Sequence, residues 1–271
     1  MNKKYLFAGL LLSIITCSKV FSQSLLDSVN NEIYRINKVF DSTKYMSFDV
    51  NILYYTDTVY GRFERQEKKI EYSLNNSNYY YKSDELIFMQ NDLYTVSIDN
   101  SEKSLIVTRS IQNNLSNQFE LKNFIGNNIS AFDSLYDITI SSVSLSANKI
   151  SLTAKPGISD SILPGYRYFS VLYDTDSYYP QKMEMELLQK LEISNIVSEN
   201  LVKQKMEISF SRYRPLASTS IFNNYNYFYY DKNTKQYLPA EKYNYYKFFT
   251  AGLDEEENEE KPQNLIDKTN N

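Results

Sequence analysis

The sequence has no histidine and no tryptophan, one cysteine, six glycines and six prolines. Without histidine, neither a Ser-His-Asp nor a Cys-His arrangement can be assembled, and histidine-liganded zinc is excluded. The lone Cys17 has no partner for a disulfide. Six scattered glycines supply no glycine-rich phosphate loop. A net charge of −4 lacks the basic footprint that nucleic acid demands, so no nucleic-acid partner is expected. What remains open to catalysis is a pair of carboxylates, as in glycoside hydrolysis. Asp174 and Asp176 are the acids that stand out, but their hairpin setting reads as turn formation. With Asp231 they would offer oxygen ligands to calcium, but EF-hand spacing is absent. The expectation is a protein that binds without catalysing, with no cofactor and no metal.

Long apolar runs are missing too, with one exception. Lys3 and Lys4 precede an apolar stretch from Leu6 to Ile15, too short to span a bilayer and of the length of a signal h-region. Val20-Phe21-Ser22 completes a cleavage site, so residues 1–22 read as an export signal and the mature chain starts at Gln23. This makes the protein exported and periplasmic. Ile14-Ile15-Thr16-Cys17 offers an alternative, a lipobox in which Cys17 is lipidated and anchors the chain to the outer membrane. Thr16 departs from the small residue usual before such a cysteine.

Aromatic residues are what the chain has in abundance: 26 Tyr and 15 Phe, a bias that favours strands. After a candidate N-cap at Ser24, Leu25, Val29, Ile33, Ile36 and Phe40 fall on one helical face, which predicts an N-terminal helix. From Met46 the period becomes two. Met46, Phe48, Val50, Ile52 and Tyr54 alternate with a largely polar set. Strands are then predicted at Val59–Phe63, at Ile70–Leu74, and at Tyr79–Tyr81, Leu86–Met89, Tyr94–Ile98 and Leu105–Thr108. Asn and Asp separate them and are expected to take the left-handed turn positions that glycine normally fills. Residues 111–135 carry apolar residues near helical spacing and predict one or two short helices. Strands resume at Tyr136–Ser142, Lys149–Ala154, Tyr166–Tyr173, Lys182–Leu188 and Met206–Phe210. Residues 214–250 are rich in tyrosine, and 251–271 form an acidic tail expected to be disordered. The domain expectation is a single β-rich domain over 23–250, a half-barrel-like part at 24–213 with a tyrosine-rich extension at 214–250.

The order of helix, meander strands, helical interruption and long strands resembles the periplasmic lipoprotein-carrier family of the LolA type. Tyr72–Tyr81 followed by Leu86–Ile98 looks like that family's successive strands. The run Val171–Met183 looks like its strand, Asp-containing turn, proline and strand element. The resemblance implies a mostly β fold, an unclosed antiparallel β-barrel (half-barrel) with an N-terminal helix and one or two short covering helices. It further implies a lipid or lipoprotein acyl chain as ligand, held in an apolar cavity. Phe48, Val50, Ile52, Tyr54, Phe63, Ile70, Tyr72 and Leu74 would line that cavity, joined by Val96 and Ile98. Each of these residues also fits an ordinary filled core. The chain is longer than the family's usual domain, and 214–250 has no counterpart in it.

Two other readings stay open. An accessory envelope protein would dock on an envelope protein through the tyrosine-rich 214–250 surface, since tyrosine is enriched at interfaces. An outer-membrane β-barrel would need strands of about 9–11 residues with a continuous lipid-facing band. Most strand segments here are shorter and carry charges.

Overall fold

The computed structural model describes residues 25–39, 45–57, 63–110, 132–159, 162–163, 166–193 and 196–253, with backbone alone at 56–57, 63–64, 188–193 and 196–203. Residues 1–24, which hold the expected export signal and Cys17, residues 111–131 of the segment expected to be helical, and residues 254–271 of the acidic tail lie outside the described residues. The fold is mostly β, with a helix (α1) at 25–39. It divides into two compact units that each take two pieces of chain, residues 1–77 with 114–217, and residues 78–113 with 218–271.

The first unit holds β1 (Tyr45–Asp57), β2 (Phe63–Asn75), β7 (Tyr136–Ser144), β8 (Ala147–Ala154), β9 (Tyr166–Asp174), β10 (Pro180–Ile193) and β11 (Ile196–Pro215). Their order is β2-β1-β11-β10-β9-β8-β7, antiparallel at every step, and the outer strands β2 and β7 do not pair to close a barrel. The open antiparallel sheet with an N-terminal helix is therefore present. Val29 and Ile36 of α1 are fully buried and Ile33 nearly so, as the helical spacing predicts, while Leu25 is exposed.

Three strands differ from expectation. The run 64–69, charged or amide at every position, lies inside β2, because Glu64–Lys69 pair residue for residue with Ile52–Thr56 and Asn51 of β1. Backbone pairing overrides the polar composition there. β10 and β11 are far longer than their apolar alternation suggests. Beyond Leu187 and Gln204 they pair only with each other. In β11 the register against β1 slips between Ser47 and Asp49, where an extra residue is accommodated and Arg212 adopts a left-handed φ of 53°.

The second unit contains β3 (Asn78–Lys82), β4 (Leu86–Gln90), β5 (Tyr94–Asp99), β6 (Ser104–Arg109), the hairpin β12 (Phe228–Asp231) and β13 (Gln236–Pro239), and β14 (Lys247–Ala251). β3 to β6 form the expected meander, and β14 adds to the outer edge of β6 in parallel. Short 3₁₀ turns at Thr219–Phe222, Asn224–Asn226 and Glu241–Tyr243 connect the tyrosine-rich segment. That segment packs on the meander. The Tyr94 and Phe228 rings meet edge to face at 5.0 Å, and the Asn91 amide donates to the Phe222 carbonyl at 2.9 Å.

Turn chemistry follows a rule that differs from the expected one. Asn76 takes a left-handed conformation as anticipated, but the other non-glycine residues in left-handed turn positions, among the described residues, are Lys103, Tyr178 and Lys235. Each lies four residues after an aspartate. Asp99, Asp174 and Asp231 accept backbone N–H bonds from within their own hairpin loops, from Ser101 and Glu102, Asp176 and Ser177, and Asn233. The carboxylates thus organise the loops as Asx turns and leave the strained position to the residue that closes them.

Candidate ligand-binding face

The pairing registers of the first unit stack apolar residues in rows across six strands. One row runs Ile52, Ile208, Met183, Val171, Ile150 and Ile140. The next runs Tyr54, Met206, Met185, Phe169, Leu152 and Ile138. A shorter row joins Ile70, Val50 and Phe210. Four of the chain's six methionines, Met46, Met183, Met185 and Met206, share this face. Methionine is flexible and polarisable, and it adapts to irregular apolar partners.

Burial along the face is uneven. On β1, Met46, Phe48 and Val50 are buried, Ile52 is half-buried and Tyr54 is 37 % exposed. The same change occurs at the same end of the neighbouring strands. Phe210 and Ile208 are buried and Met206 is half-buried; Met183 and Met185 are buried and Leu187 is half-buried. There β2 offers Lys68 and Gln66, both exposed, opposite Ile52 and Tyr54. The face is a filled core at one end and an incompletely covered apolar surface with a polar rim at the other.

At the filled end, Phe48 stacks between Tyr72 (5.5 Å, 11°) and Tyr213 (5.4 Å, 26°). Tyr213 reaches this face because of the β11 bulge, which re-aims a side chain relative to simple alternation. Its hydroxyl donates to the Pro180 carbonyl at 2.7 Å, and burial pushes its phenol far above the ordinary range. On the opposite side of the sheet the same bulge brings both Arg212 and Arg214 to Asp49.

Helix α1 is tied to this face at the end of β9. The Tyr173 hydroxyl donates to Glu32 at 2.7 Å, and Arg35 donates to the Tyr178 hydroxyl while lying over its ring. Tyr173 and Tyr178 stack at 6.0 Å, so both contacts share one aromatic pair. Burial, reinforced by Glu32, holds the Tyr173 phenol neutral well above its usual value.

The opposite face of the sheet is charged. Glu184 bridges Lys149 (3.3 Å) and Lys182 (2.8 Å), and Glu207 bridges Lys182 (3.0 Å) and Lys205 (2.7 Å). Burial alone would push Glu184 up, but hydrogen bonds from Lys182 and Lys149 outweigh it and hold the carboxyl below its ordinary value. The Lys205 hydrogen bond lowers Glu207 likewise.

Of the residues proposed from sequence, the structure gathers Phe48, Val50, Ile52, Tyr54, Ile70, Tyr72 and Leu74 on one face of β1 and β2. Phe63 pairs with Asp57 and so occupies the alternate register set; its side chain is not among those described. Val96 and Ile98 belong to the second unit, where they are fully buried and pair with Val107 and Leu105. The sequence reading passed over Met183, Met185, Met206, Ile208 and Tyr213. The alternation of Met183 and Met185 with Glu184 and Glu186 carried the signal for the first two. Asp174 and Asp231 lie in different units, and each closes a hairpin loop. Among the described residues no group of three acids, histidines or cysteines is placed to hold a metal ion, and no helix is long and apolar enough to cross a membrane.

No family model matches the chain, and no curated protein matches it. Solved structures do. The chain is similar to a LolA superfamily protein from Nitrosomonas europaea, with 15 % identity and a TM-score of 0.27 over 69 % of this chain and 96 % of that one. It is also similar to a domain described as an outer membrane lipoprotein-sorting protein from Vibrio parahaemolyticus, at 10 % identity and a TM-score of 0.29, covering 71 % and 95 %. A DUF1329 family protein from Desulfovibrio piger aligns at 11 % identity with a TM-score of 0.33, covering 73 % and 97 %.

Proposed function

We propose that this is an exported envelope protein that holds a lipid or lipoprotein acyl chain against the apolar face of its first unit, without catalysing a reaction. The observation that carries this reading is the incompletely covered, methionine-bearing end of the face at Ile52, Tyr54, Met206 and Leu187. An acyl chain covering such a surface gains about 0.8 kcal/mol per buried methylene. Helix α1, latched through Glu32 and Arg35, would bound the bound chain on one side. Phe48, Val50, Ile70, Tyr72 and Leu74 form the floor that supports the exposed end.

The test is native mass spectrometry with lipid extraction on protein purified from its own envelope. An acyl ligand should co-purify with the native chain and be lost from Ile52→Asp, a half-buried position where the fold tolerates a charge better than at fully buried Phe48. A ligand-free native mass, under conditions that retain lipid on a known carrier, would refute the reading. The same spectrum reports the N-terminus, either Gln23 after signal removal or a diacyl increment on Cys17.

A second reading, docking on an envelope protein through 214–250, is favoured by the exposure of Tyr225 (70 %) and Tyr245 (69 %) in the second unit. Its test is photo-crosslinking in the envelope from each of these two positions. A discrete crosslinked partner is expected from both if the reading holds, and none if it does not.

A further inference from the structure

The hairpin between β7 and β8 ends in residues that folding alone does not call for. Its ladder closes at the Ser144–Ala147 pair, so Leu145 and Ser146 form a two-residue loop. Such loops favour Asn, Gly and Asp. Leu145 stands there instead, wholly exposed at 106 %. Just before it the register slips between Ser142 and Ser144, and the extra residue of this bulge is Val143, 57 % exposed. From Ile138 to Asn148 no residue carries a charge, and the exposed neighbours of the two apolar side chains are Ser141, Ser142, Ser144 and Ser146. Much of the tip's backbone is already bonded. Ser142 Oγ donates to the Ser144 carbonyl at 2.9 Å, and the Ser146 N–H donates to Ser144 Oγ at 3.3 Å. The Ser146 carbonyl accepts from the Thr175 N–H of the β9–β10 loop at 3.0 Å.

We propose that the hairpin tip at Leu145, with Val143 beside it, dips into the headgroup boundary of a lipid bilayer. Apolar side chains on a protrusion suit a fluid surface that closes around them, and contact at this depth needs no transmembrane span. Backbone groups that enter such a layer must bring their own hydrogen bonds, and the Ser144 carbonyl and both backbone groups of Ser146 do so. Charge selects the kind of surface. Asp176 is exposed in the loop bonded to the tip, and the chain carries a net charge of −4, so a zwitterionic headgroup layer fits better than an anionic one. Two side chains give weak, reversible contact, not an anchor. The tip stands at the end of the sheet away from Ile52 and Tyr54, so the contact does not depend on an acyl ligand there.

The absence of tryptophan supplies the experiment, because Leu145→Trp introduces a single reporter. On protein purified from its envelope, phosphatidylcholine vesicles should shift its emission to the blue, saturably, and protect it from an aqueous quencher. Ile162→Trp is the control. Ile162 is 62 % exposed in the loop joining the other ends of β8 and β9, roughly 25 Å away along β8, and should not respond. Tryptophan itself favours interfaces, so a second reporter, Val143→Trp, leaves Leu145 in place. Adding Leu145→Asp to it should weaken vesicle partition at least about tenfold, the factor expected when one leucine is withdrawn from an apolar layer. Thermal unfolding should be unchanged in every variant, since each replaced side chain is exposed. No vesicle-dependent shift at position 145, an equal shift at 162, or a response to phosphatidylglycerol vesicles alone overturns the proposal. So does a shift that appears without vesicles and grows with protein concentration, which would assign the tip to a second copy of the chain.

Discussion

Arg212 and Tyr213 show how much a single backbone irregularity decides. With Arg212 in a left-handed conformation, its neighbour Tyr213 turns onto the apolar face and stacks on Phe48, while Arg212 and Arg214 converge on Asp49. Nothing in the local sequence announces this, because Arg is an unusual occupant of that conformation and glycine is the usual marker. Tyr213→Phe should cost about 1 kcal/mol through the lost bond to the Pro180 carbonyl, measurable by denaturant unfolding. Phe48→Ala, at a fully buried position between two stacked tyrosines, should cost about 3–5 kcal/mol in the same assay. The helix latch gives a more local readout. Glu32→Gln weakens the acceptor for the Tyr173 hydroxyl, so amide exchange in 25–39 should accelerate while exchange in β8 and β9 stays unchanged. Equal acceleration in all three would show that the contact supports the whole unit instead of holding the helix.

At the scale of elements, periodicity was a good guide wherever one face is apolar and the other wet. The β1 alternation, the helix stripe and the meander β3 to β6 were all legible for that reason. It failed where pairing, not side-chain pattern, sustains the strand, as in Glu64–Lys69 of β2 and in the outer parts of β10 and β11. The candidate site was legible in part. Its β1 and β2 contributions came from alternation, but the methionine rows depend on the long-range register of β1 against β11 and β11 against β10, which no local pattern contains. Three hairpin loops follow a local rule that is visible afterwards: an aspartate, then a left-handed residue four positions later. Lys235 is such a residue, exposed and, among the described residues, with no side-chain ion pair or hydrogen bond to lose. Lys235→Gly should therefore raise stability by about 0.5–1 kcal/mol, and a fall in stability on thermal unfolding would show that the loop is not strained there.

For the molecule as a whole, the ionisable groups predict a stability plateau with two shoulders. Glu184 and Glu207 are held below their ordinary values, so their contribution is present above the unfolded glutamate range and is lost as pH falls through it, below about 4.5. The tyrosines act in the other direction. Burial pushes Tyr136 and Tyr243 up to about 12, so the stability tied to their neutral forms is complete below the unfolded value of about 10. It then declines as pH rises towards 12. Unfolding followed by phenolate absorbance should begin above pH 10 and be cooperative; gradual ionisation without unfolding would show these phenols to be hydrated.

The β1–β11 pairing joins Met46 to Pro215, so the strand made first in the sheet waits for one of the last to be synthesised. A chain of this kind spends a long interval without its central ladder, because a very large loop must close before the first of those contacts forms. Refolding of the isolated protein should accordingly occupy milliseconds to seconds in stopped-flow experiments. Were the chain exported as proposed, that interval would leave it threadable during translocation.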